Sequence, residues 1–207
     1  MSSKKYFDEV ASQWDKMQES FFSEAVREKA YSVVNLQQGE LAADIGAGTG
    51  FITEGLIQRG LNVIAVDQSE VMLQELKIKL QSAGKIDYRT GEAENLPVEN
   101  DIVDYVFANM FLHHVERPLD AIKEMVRILK PGGKLVITDL DEHNFEFLKT
   151  EQYDRWMGFK RDDIKRWFIE AGLKEVMVDC VGENCCAPSC CGDKYASVSI
   201  FVASGKK

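Results

Sequence analysis

A glycine-rich turn is the first feature of the sequence with the residue types and spacing for chemistry. In the segment LAADIGAGTGFITEGL, an apolar run leads into a G-x-G-x-G pattern formed by Gly46, Gly48 and Gly50. Glycine has no Cβ, so it permits a tight turn and lets a bound molecule approach the backbone closely. A dinucleotide-binding loop has its third glycine where this chain has Phe51, which argues against a nicotinamide-dependent reductase. Asp44, just before the turn, would instead favour a cationic amino-acid cofactor.

Further polar residues follow the next apolar runs at the points where these runs end. Asp67 ends NVIAVD, and its carboxylate can accept hydrogen bonds from two ribose hydroxyls. The segment GEAENLP (91–97) follows the third run, and FANMFLHHV (107–115) ends the fourth. If the runs are parallel strands, their carboxyl ends meet at the crevice where open α/β sheets bind ligands. The alternative is that each acid only caps a helix, which explains single acids but not their ordered recurrence.

Most of the cysteines lie in one short segment near the C-terminus, NCCAPSCCGD, which contains Cys185, Cys186, Cys190 and Cys191. Three interpretations are open from the residues alone. A cysteine of the first pair could bond one of the second pair across a short turn, the thiols could be inert, or thiolates could bind a soft metal such as zinc or copper(I). The spacing from Cys186 to Cys190 lies within the ligand spacing for zinc.

Composition narrows the class of protein and of partner. The 207 residues are 45% hydrophobic and 29% charged, which fits one globular domain with a core. The formal net charge is −9 and the basic residues are scattered among acids, so we expect a small-molecule partner rather than nucleic acid. No apolar run approaches the roughly 18 residues of a membrane span. The N-terminus has no apolar signal-peptide core, so we expect a cytoplasmic location, where thiols stay reduced.

Short β-rich runs alternate with amphipathic helical patterns along the chain. The predicted strands are 41–45, 62–67, 85–93, 104–109, 134–140, 174–181 and 196–204, and the predicted helices among them are 71–84, 118–130 and 161–173. This alternation predicts an α/β fold, a Rossmann-like, doubly wound, mostly parallel seven-stranded sheet. The last two strands have no helix between them and should form an antiparallel hairpin. We expect a helical extension over 1–38 and the sheet domain over 39–207.

Four of these segments together resemble a known enzyme family. ADIGAGTGF, AVDQSEVML, GEAENLPVENDIVDYVFANMFLHHVERP and EMVRILKPGGKLVITDL are similar, in sequence and order, to the class I S-adenosylmethionine-dependent methyltransferases. The resemblance spans roughly residues 6–140 and is to the small-molecule subgroup that includes ubiquinone and menaquinone methylases. It implies S-adenosyl-L-methionine as cofactor and a small-molecule methyl acceptor. A non-catalytic cofactor- or metal-binding module with the same fold is the alternative.

The resemblance also implies which residues contact the cofactor. The residues expected at its methionine part are Asp44, Gly46, Ala47, Gly48 and Asn109. The residues expected at its ribose and adenine are Asp67, Gln68, Met72, Glu92 and Ala93. A helix carrying Tyr6, Phe7 and Trp14 would close over the cofactor, where an aromatic lid excludes water and attracts the sulfonium through cation–π contact.

The candidate catalytic residues are His113 and His114, which follow the fourth predicted strand. Methyl transfer from a sulfonium is an in-line displacement that needs alignment and the exclusion of water. A general base is needed only when the acceptor carries a proton that it cannot shed at neutral pH. The alternative is that the pair only stabilises its loop. Asn109 precedes Met-Phe-Leu, so the N-P-P-Y pattern of methylases that act on nucleic-acid bases is absent.

The expected fold brings the cysteine segment to the cofactor side of the sheet. The strand over 174–181 should run parallel to the others, so a loop over 182–194 would emerge at the rim of the active site. The four cysteines could there bind a soft metal or metalloid, or present a thiol or thiophilic acceptor such as trivalent arsenic, as thiolates do in arsenite methyltransferases of the same fold. The chain departs from those enzymes because it is shorter and has no cysteine before Cys180.

Overall fold

The computed structural model describes residues 3–189, 192 and 194–207. The strands are β1 (Leu41–Ile45), β2 (Asn62–Asp67), β3 (Ile86–Thr90), β4 (Val103–Asn109), β5 (Leu129–Leu140), β6 (Lys174–Pro188) and β7 (Tyr195–Lys206). They form one seven-stranded sheet in the order β3-β2-β1-β4-β5-β7-β6. Strand β7 pairs antiparallel with β5 and β6, and the other neighbours pair in parallel. The predicted fold class, with its antiparallel C-terminal hairpin, is confirmed.

The helices are α1 (Ser3–Val10), α2 (Trp14–Phe21), α3 (Ala25–Ser32), α4 (Phe51–Gln58), α5 (Glu70–Lys79), α6 (Pro118–Ile128), α7 (Phe147–Glu151) and α8 (Arg161–Glu170), with 3-10 helices at Ala11–Gln13 and Leu112–His114. Helix α6 begins at Pro118, whose fixed φ suits a first helical residue. It ends before the predicted residue 130 because Leu129 already has the extended backbone of β5. No helix in the described part of the chain is long and apolar enough to cross a membrane.

The core lies on both faces of the sheet, as a parallel sheet covered by helices requires. On one face, residues such as Ala43 and Val106 pack with Met125 of α6 and Phe168 of α8. On the other face, the intervening strand residues, such as Ala42, Tyr105 and Phe107, pack with the side chains of α3 and α4. Polar residues of the sequence motifs, such as Asp67 and Asn109, lie at the carboxyl ends of the parallel strands.

Strand β6 is longer than the sequence predicted. The predicted loop over 182–194 is wrong for residues 184–188, which pair with 195–199 of β7. A register shift between Cys180 and Asn184 interrupts the ladder and then allows the pairing to resume. The extension depends on the partner strand, which is 12 residues long, so the local apolar pattern of the segment did not indicate it.

Candidate active site

The turn between β1 and α4 depends on glycine. Gly46, Gly48 and Gly50 have positive φ values of 71°, 53° and 96°, a left-handed backbone that is costly for residues with a Cβ. A Cβ on Gly46 would also collide with the ring of Phe111. The backbone N–H of Gly46 donates to the carbonyl of Val66 at 2.9 Å, which holds the turn against the end of β2. The turn therefore has a single close-packed conformation at the carboxyl edge of the sheet.

Asp44 is buried beside this turn and is held by helix α4. Its Oδ2 accepts hydrogen bonds from the backbone N–H and the hydroxyl of Thr53, at 2.9 and 2.7 Å. Burial raises the pKa of Asp44 to about 7, although the two bonds from Thr53 act in the opposite direction. A cation placed next to Asp44 would therefore lower this pKa and favour the ionised carboxylate.

Asp67 ends β2 and connects the glycine turn to helix α5. Its two carboxylate oxygens accept hydrogen bonds from the backbone N–H groups of Gly48 and Ser69, each at 2.8 Å. Burial raises the pKa of Asp67, and these backbone bonds partly offset that rise. The Ser69 hydroxyl caps α5 by accepting from the N–H of Met72, and it donates to Asp8 of α1 at 2.6 Å. The N-terminal helix is thus tied to the end of β2.

A cavity of about 410 Å³ lies at this edge of the sheet. Twelve of the thirteen residues expected at the cofactor line it, namely Phe7, Trp14, Asp44, Gly46, Ala47, Gly48, Asp67, Gln68, Met72, Glu92, Ala93 and Asn109. They come from the ends of β1, β2 and β4, the segment after β3, and the N-terminal helices. We call this space the large cavity.

Tyr6 is the exception, because its contacts lie outside the large cavity and its contact with the cofactor stays a prediction. The Tyr6 hydroxyl donates to Oε1 of Gln152 at 2.8 Å, and its ring lies 5.1 Å from the ring of Tyr153. Tyr6 is not among the residues that line the large cavity. Its neighbour Phe7 does line the cavity, because adjacent residues of a helix project about 100° apart.

The N-terminal helices cover the large cavity. The rings of Phe7 and Trp14 lie 5.1 Å apart, edge to face, and both line it. One residue further on, Asp15 accepts a hydrogen bond from the Thr49 hydroxyl of the glycine turn and pairs with Lys79 of α5 at 2.9 Å. This segment therefore closes the cavity with aromatic side chains that polar contacts hold in place.

His113 is buried between two carboxylates. Its Nδ1 lies 2.6 Å from Oδ1 of Asp139, and its Nε2 lies 3.7 Å from Oδ1 of Asp154. The other Asp139 oxygen accepts the backbone N–H of Leu112 at 2.8 Å, which fixes the carboxylate under the 3-10 helix. Burial alone would lower the pKa of His113, but the charges of Asp139 and Asp154 raise it to about 9. His113 is therefore an imidazolium at neutral pH.

His114, in contrast to His113, is neutral. Burial holds its pKa well below the usual value, and the neighbouring charge of His113 adds to that effect. The two rings lie 4.1 Å apart, and the His114 ring contacts Phe7 edge to face at 5.0 Å. The only polar contact of Nδ1 of His114 short of 3.5 Å in the described residues is with the carbonyl of Tyr153, at 3.4 Å. A neutral imidazole of this kind offers a lone pair to a ligand or a proton.

A smaller cavity of about 50 Å³ adjoins the large cavity and shares part of its wall. Its walls are mostly apolar side chains: Phe7, Trp14, Phe21, Phe22, Met110, Leu140, Leu148, Ala187, Ala196 and Val198. Its polar members are His113, His114, Gln152, Asp154 and Cys185. Five residues line both cavities and so mark where they approach each other: Phe7, Trp14, Phe22, Met110 and His114. We call this second space the small cavity.

The two described members of the expected cysteine site, Cys185 and Cys186, have different surroundings. Cys185 lines the small cavity, where burial and then the charge of Asp154 raise its pKa to about 12. The next residue, Cys186, contacts the Ser197 hydroxyl instead, with Sγ and Oγ 3.8 Å apart. Successive residues of a strand project to opposite faces, which separates the two thiols.

The expected metal site has two further members, Cys190 and Cys191. Cys190 and Cys191 lie outside the described residues, and Cys180, Cys185 and Cys186 are free thiols. Within the described part of the chain, the side chains grouped closely enough to hold a metal ion are His113, His114 and Asp154.

Comparison with known proteins decides the family. Residues 43–137 match the family described as "Methyltransferase domain". A curated demethylmenaquinone methyltransferase of Staphylococcus epidermidis is 33% identical over 205 residues, which cover 83% of this chain and 85% of that protein. The chain belongs to the class I S-adenosylmethionine-dependent methyltransferases. A further relative of this methyltransferase is the bifunctional protein BioHC of Cellvibrio japonicus, 33% identical over 67% of this chain and 27% of that protein.

Other comparisons set the limits of the family match. The methyltransferase spans 27 to 61% of the length of the first five curated relatives that it matches. Its fold is similar to that of a methyltransferase of Haloferax volcanii solved in complex with the activator Trm112, with a TM-score of 0.78 and 18% identity over 97% of this chain and 96% of that one.

The residues that match the family include most of those that line the large cavity and few of those that line the small cavity. Residues 43–137 run from β1 into β5 and include the glycine turn, Asp67, Asn109 and both histidines. The segments that add α7, β6 and β7 to the small cavity lie beyond residue 137. Sequence reasoning on the methyltransferase therefore missed Asp139, Asp154 and the apolar wall, for which no motif or spacing gave a signal.

Proposed function

We propose that the methyltransferase carries a methyl group from S-adenosylmethionine to a small molecule held in the small cavity. The observation that carries this proposal is that the two cavities share wall residues, among which His114 is the one titratable side chain. A transfer enzyme needs its two reactants on either side of one meeting point, and the residues at that point must align them.

The large cavity fits the cofactor. Its volume lies within the roughly 300–1,000 Å³ of small-molecule sites, and its glycine turn carries no Cβ that would block close approach of a ligand. S-adenosylmethionine supplies a methyl group on a positively charged sulfonium. Asp44, Gly46 to Gly48 and Asn109 would hold its methionine part. Asp67 would accept the ribose hydroxyls, with Gln68, Met72, Glu92 and Ala93 at the adenine.

The residues around the meeting point have distinct roles in this proposal. Phe7 and Trp14 exclude water from the cofactor and present aromatic faces to a cation. The small cavity, at about 50 Å³, has room only for the reacting end of an acceptor, and its apolar wall favours a compact, mostly apolar group there. His114, neutral and next to that cavity, would polarise or take up a proton of the acceptor. His113, fixed by Asp139, would hold His114 in place and keep it neutral.

A second candidate acceptor is a thiol or a thiophilic metalloid. Cys185 supports it, because its thiol lines the small cavity beside the histidine pair. Cys186 contacts Ser197 instead, so it is a matched control on the neighbouring position. With arsenite as acceptor, Cys185→Ser should abolish methyl transfer and Cys186→Ser should not. Equal turnover by both variants would exclude this candidate.

Product formation tests the function itself. The purified chain should convert S-adenosylmethionine to S-adenosylhomocysteine when incubated with a panel of small hydroxyl, amine and thiol acceptors. His114→Asn should lower kcat by roughly 100-fold or more, as expected for loss of a proton-transfer group, while cofactor affinity stays unchanged. Cofactor binding without turnover on any acceptor would instead support a non-catalytic module.

A further inference from the structure

We propose that His113, His114 and Asp154 form a binding site for one divalent transition-metal ion at the wall of the small cavity. This inference rests on the proposed function and refines it: an ion held by His114 would activate the acceptor in place of direct proton uptake by His114. One potential ligand atom from each of the three residues lies within 4.8 Å of the other two. All three side chains are nearly buried, with 4 to 10% of their surface exposed.

The nitrogen atoms are oriented for a ligand role. Asp139 holds Nδ1 of His113 at 2.6 Å, which leaves Nε2 directed at Asp154. A carboxylate behind a metal-ligating histidine is the usual partner that fixes its tautomer and ring orientation. For His114, the contact from Nδ1 to the Tyr153 carbonyl is 3.4 Å long, beyond the usual range of an N–H···O hydrogen bond. This nitrogen is therefore weakly engaged and available.

The two distances from Asp154 require only a small contraction around an ion. Oδ1 of Asp154 lies 3.7 Å from Nε2 of His113 and 3.9 Å from Nδ1 of His114. Tetrahedral zinc with bonds of about 2.0–2.1 Å has ligand atoms roughly 3.4 Å apart. Bringing these atoms to that spacing requires shifts of a few tenths of an ångström for each Asp154 pair, within the range of side-chain adjustment.

Charge and ligand type indicate the class of ion. The side chains of Asp139 and Asp154 are 0 and 4% exposed, respectively, and burying two negative charges is costly unless cations compensate them. The imidazolium of His113 offers one positive charge. A divalent ion that displaces its Nε2 proton to solvent would offer two, and would then be held by two neutral imidazoles and one carboxylate. Imidazole nitrogen with carboxylate oxygen suits zinc, iron(II), cobalt(II) or nickel(II) better than calcium or magnesium.

The position of the group suggests what the ion would do. All three residues line the small cavity, so the coordination positions that the protein leaves unfilled face the acceptor. Three protein ligands with an open position is the pattern of catalytic rather than structural zinc sites. An ion there would bind an oxygen or sulfur of the acceptor, orient it and lower its pKa, so that its proton passes to solvent before methyl transfer.

Cobalt(II) titration of the full chain tests the site without any need for turnover. We expect one equivalent to bind with visible d–d absorption bands, confirmed by elemental analysis with zinc. His114→Asn and the near-isosteric Asp154→Asn should abolish that equivalent, and Asp139→Asn should weaken affinity roughly 10- to 100-fold. A variant with Cys185, Cys186, Cys190 and Cys191 replaced by serine should still bind it.

Each outcome of the titration decides the proposal. S-adenosylhomocysteine binding by every variant shows that it is folded. No uptake by the unaltered chain, uptake that survives His114→Asn and Asp154→Asn, or uptake lost in the four-serine variant would each overturn the metal site. If the unaltered chain takes up no metal but still binds S-adenosylhomocysteine, the methyltransferase proposal is left intact. Failure to bind S-adenosylhomocysteine would instead contradict the proposed function.

Discussion

His113 and Asp139 form a fully buried pair, with Nδ1 of the histidine 2.6 Å from Oδ1 of the aspartate. The pair joins the 3-10 helix after β4 to the end of β5, two elements whose carboxyl ends border the proposed acceptor site. Asp139 also accepts hydrogen bonds from the backbone N–H groups of Phe111 and Leu112. It therefore holds the 3-10 helix in position and also stabilises the positive charge of His113.

The charge on His113 predicts a loss of stability at alkaline pH. The pKa of His113 is raised to about 9 in the folded chain, against about 6.5 when unfolded. Its stabilising contribution is therefore complete below about pH 6.5 and is lost as pH rises through 9. At about 1.36 kcal/mol per pKa unit, the free energy of unfolding should fall by roughly 3 kcal/mol over this window.

Urea denaturation at several pH values, in metal-free buffer, measures that fall. Asp139→Asn should remove most of the slope between pH 6.5 and 9, because the amide cannot stabilise the imidazolium. A slope in Asp139→Asn equal to that of the unaltered chain would contradict the charge assignment of His113.

Substitution of Gly46 should be more damaging than substitution of an open glycine. Gly39 and Gly46 have similar φ values, 83° and 71°, but a Cβ on Gly39 meets nothing within 4 Å whereas one on Gly46 meets the Phe111 ring. We expect Gly39→Ala to cost about 1–2 kcal/mol for its backbone alone. Gly46→Ala should cost roughly 1–3 kcal/mol more for overpacking.

The double variant Gly46→Ala/Phe111→Ala separates steric from backbone effects. Removal of the ring should recover the excess cost of Gly46→Ala, when corrected for the effect of Phe111→Ala alone in a double-mutant cycle. Equal free energies of unfolding for Gly39→Ala and Gly46→Ala would show that Phe111 does not rest on the turn.

The contacts of Asp15 should slow the release of the cofactor, because they hold the N-terminal helices over the large cavity. Asp15 bonds Thr49 and Lys79, and so ties the N-terminal helices to the glycine turn and to α5. Asp15→Asn should speed dissociation of S-adenosylhomocysteine several-fold, since exposed ion pairs contribute about 1 kcal/mol or less. Glu19→Gln, an exposed acid on the same helix, is the control and should leave the dissociation rate unchanged.

The sheet and the large cavity could be predicted from sequence because their signals are local. The strands β1 and β2 begin and end at the predicted residues, since each is an apolar run between a turn and a polar end. The glycines directly follow β1 and Asp67 ends β2, so the parallel arrangement of these strands places them all at the carboxyl edge of the sheet. The extension of β6 could not be predicted in this way, because it depends on the register with β7.

The small cavity could not be predicted for a similar reason. Asp139 and His113 are 26 residues apart, and nothing in either segment indicates that they pair. The position of Tyr6 depended on how α1 docks rather than on its helical pattern. For the cysteines, the pattern indicated a cluster, and the alternation of side chains along β6 separated Cys185 from Cys186.

Calorimetric titration with S-adenosylhomocysteine, comparing the unaltered chain with Asp67→Asn, tests the central claim most directly. We predict one bound molecule per chain and an affinity loss of roughly 10- to 100-fold in Asp67→Asn, as expected for a hydrogen bond to a charged group. Asp87→Asn, an exposed acid on the neighbouring strand β3, should bind as the unaltered chain does. No binding by the unaltered chain, or equal binding by Asp67→Asn, would contradict the account.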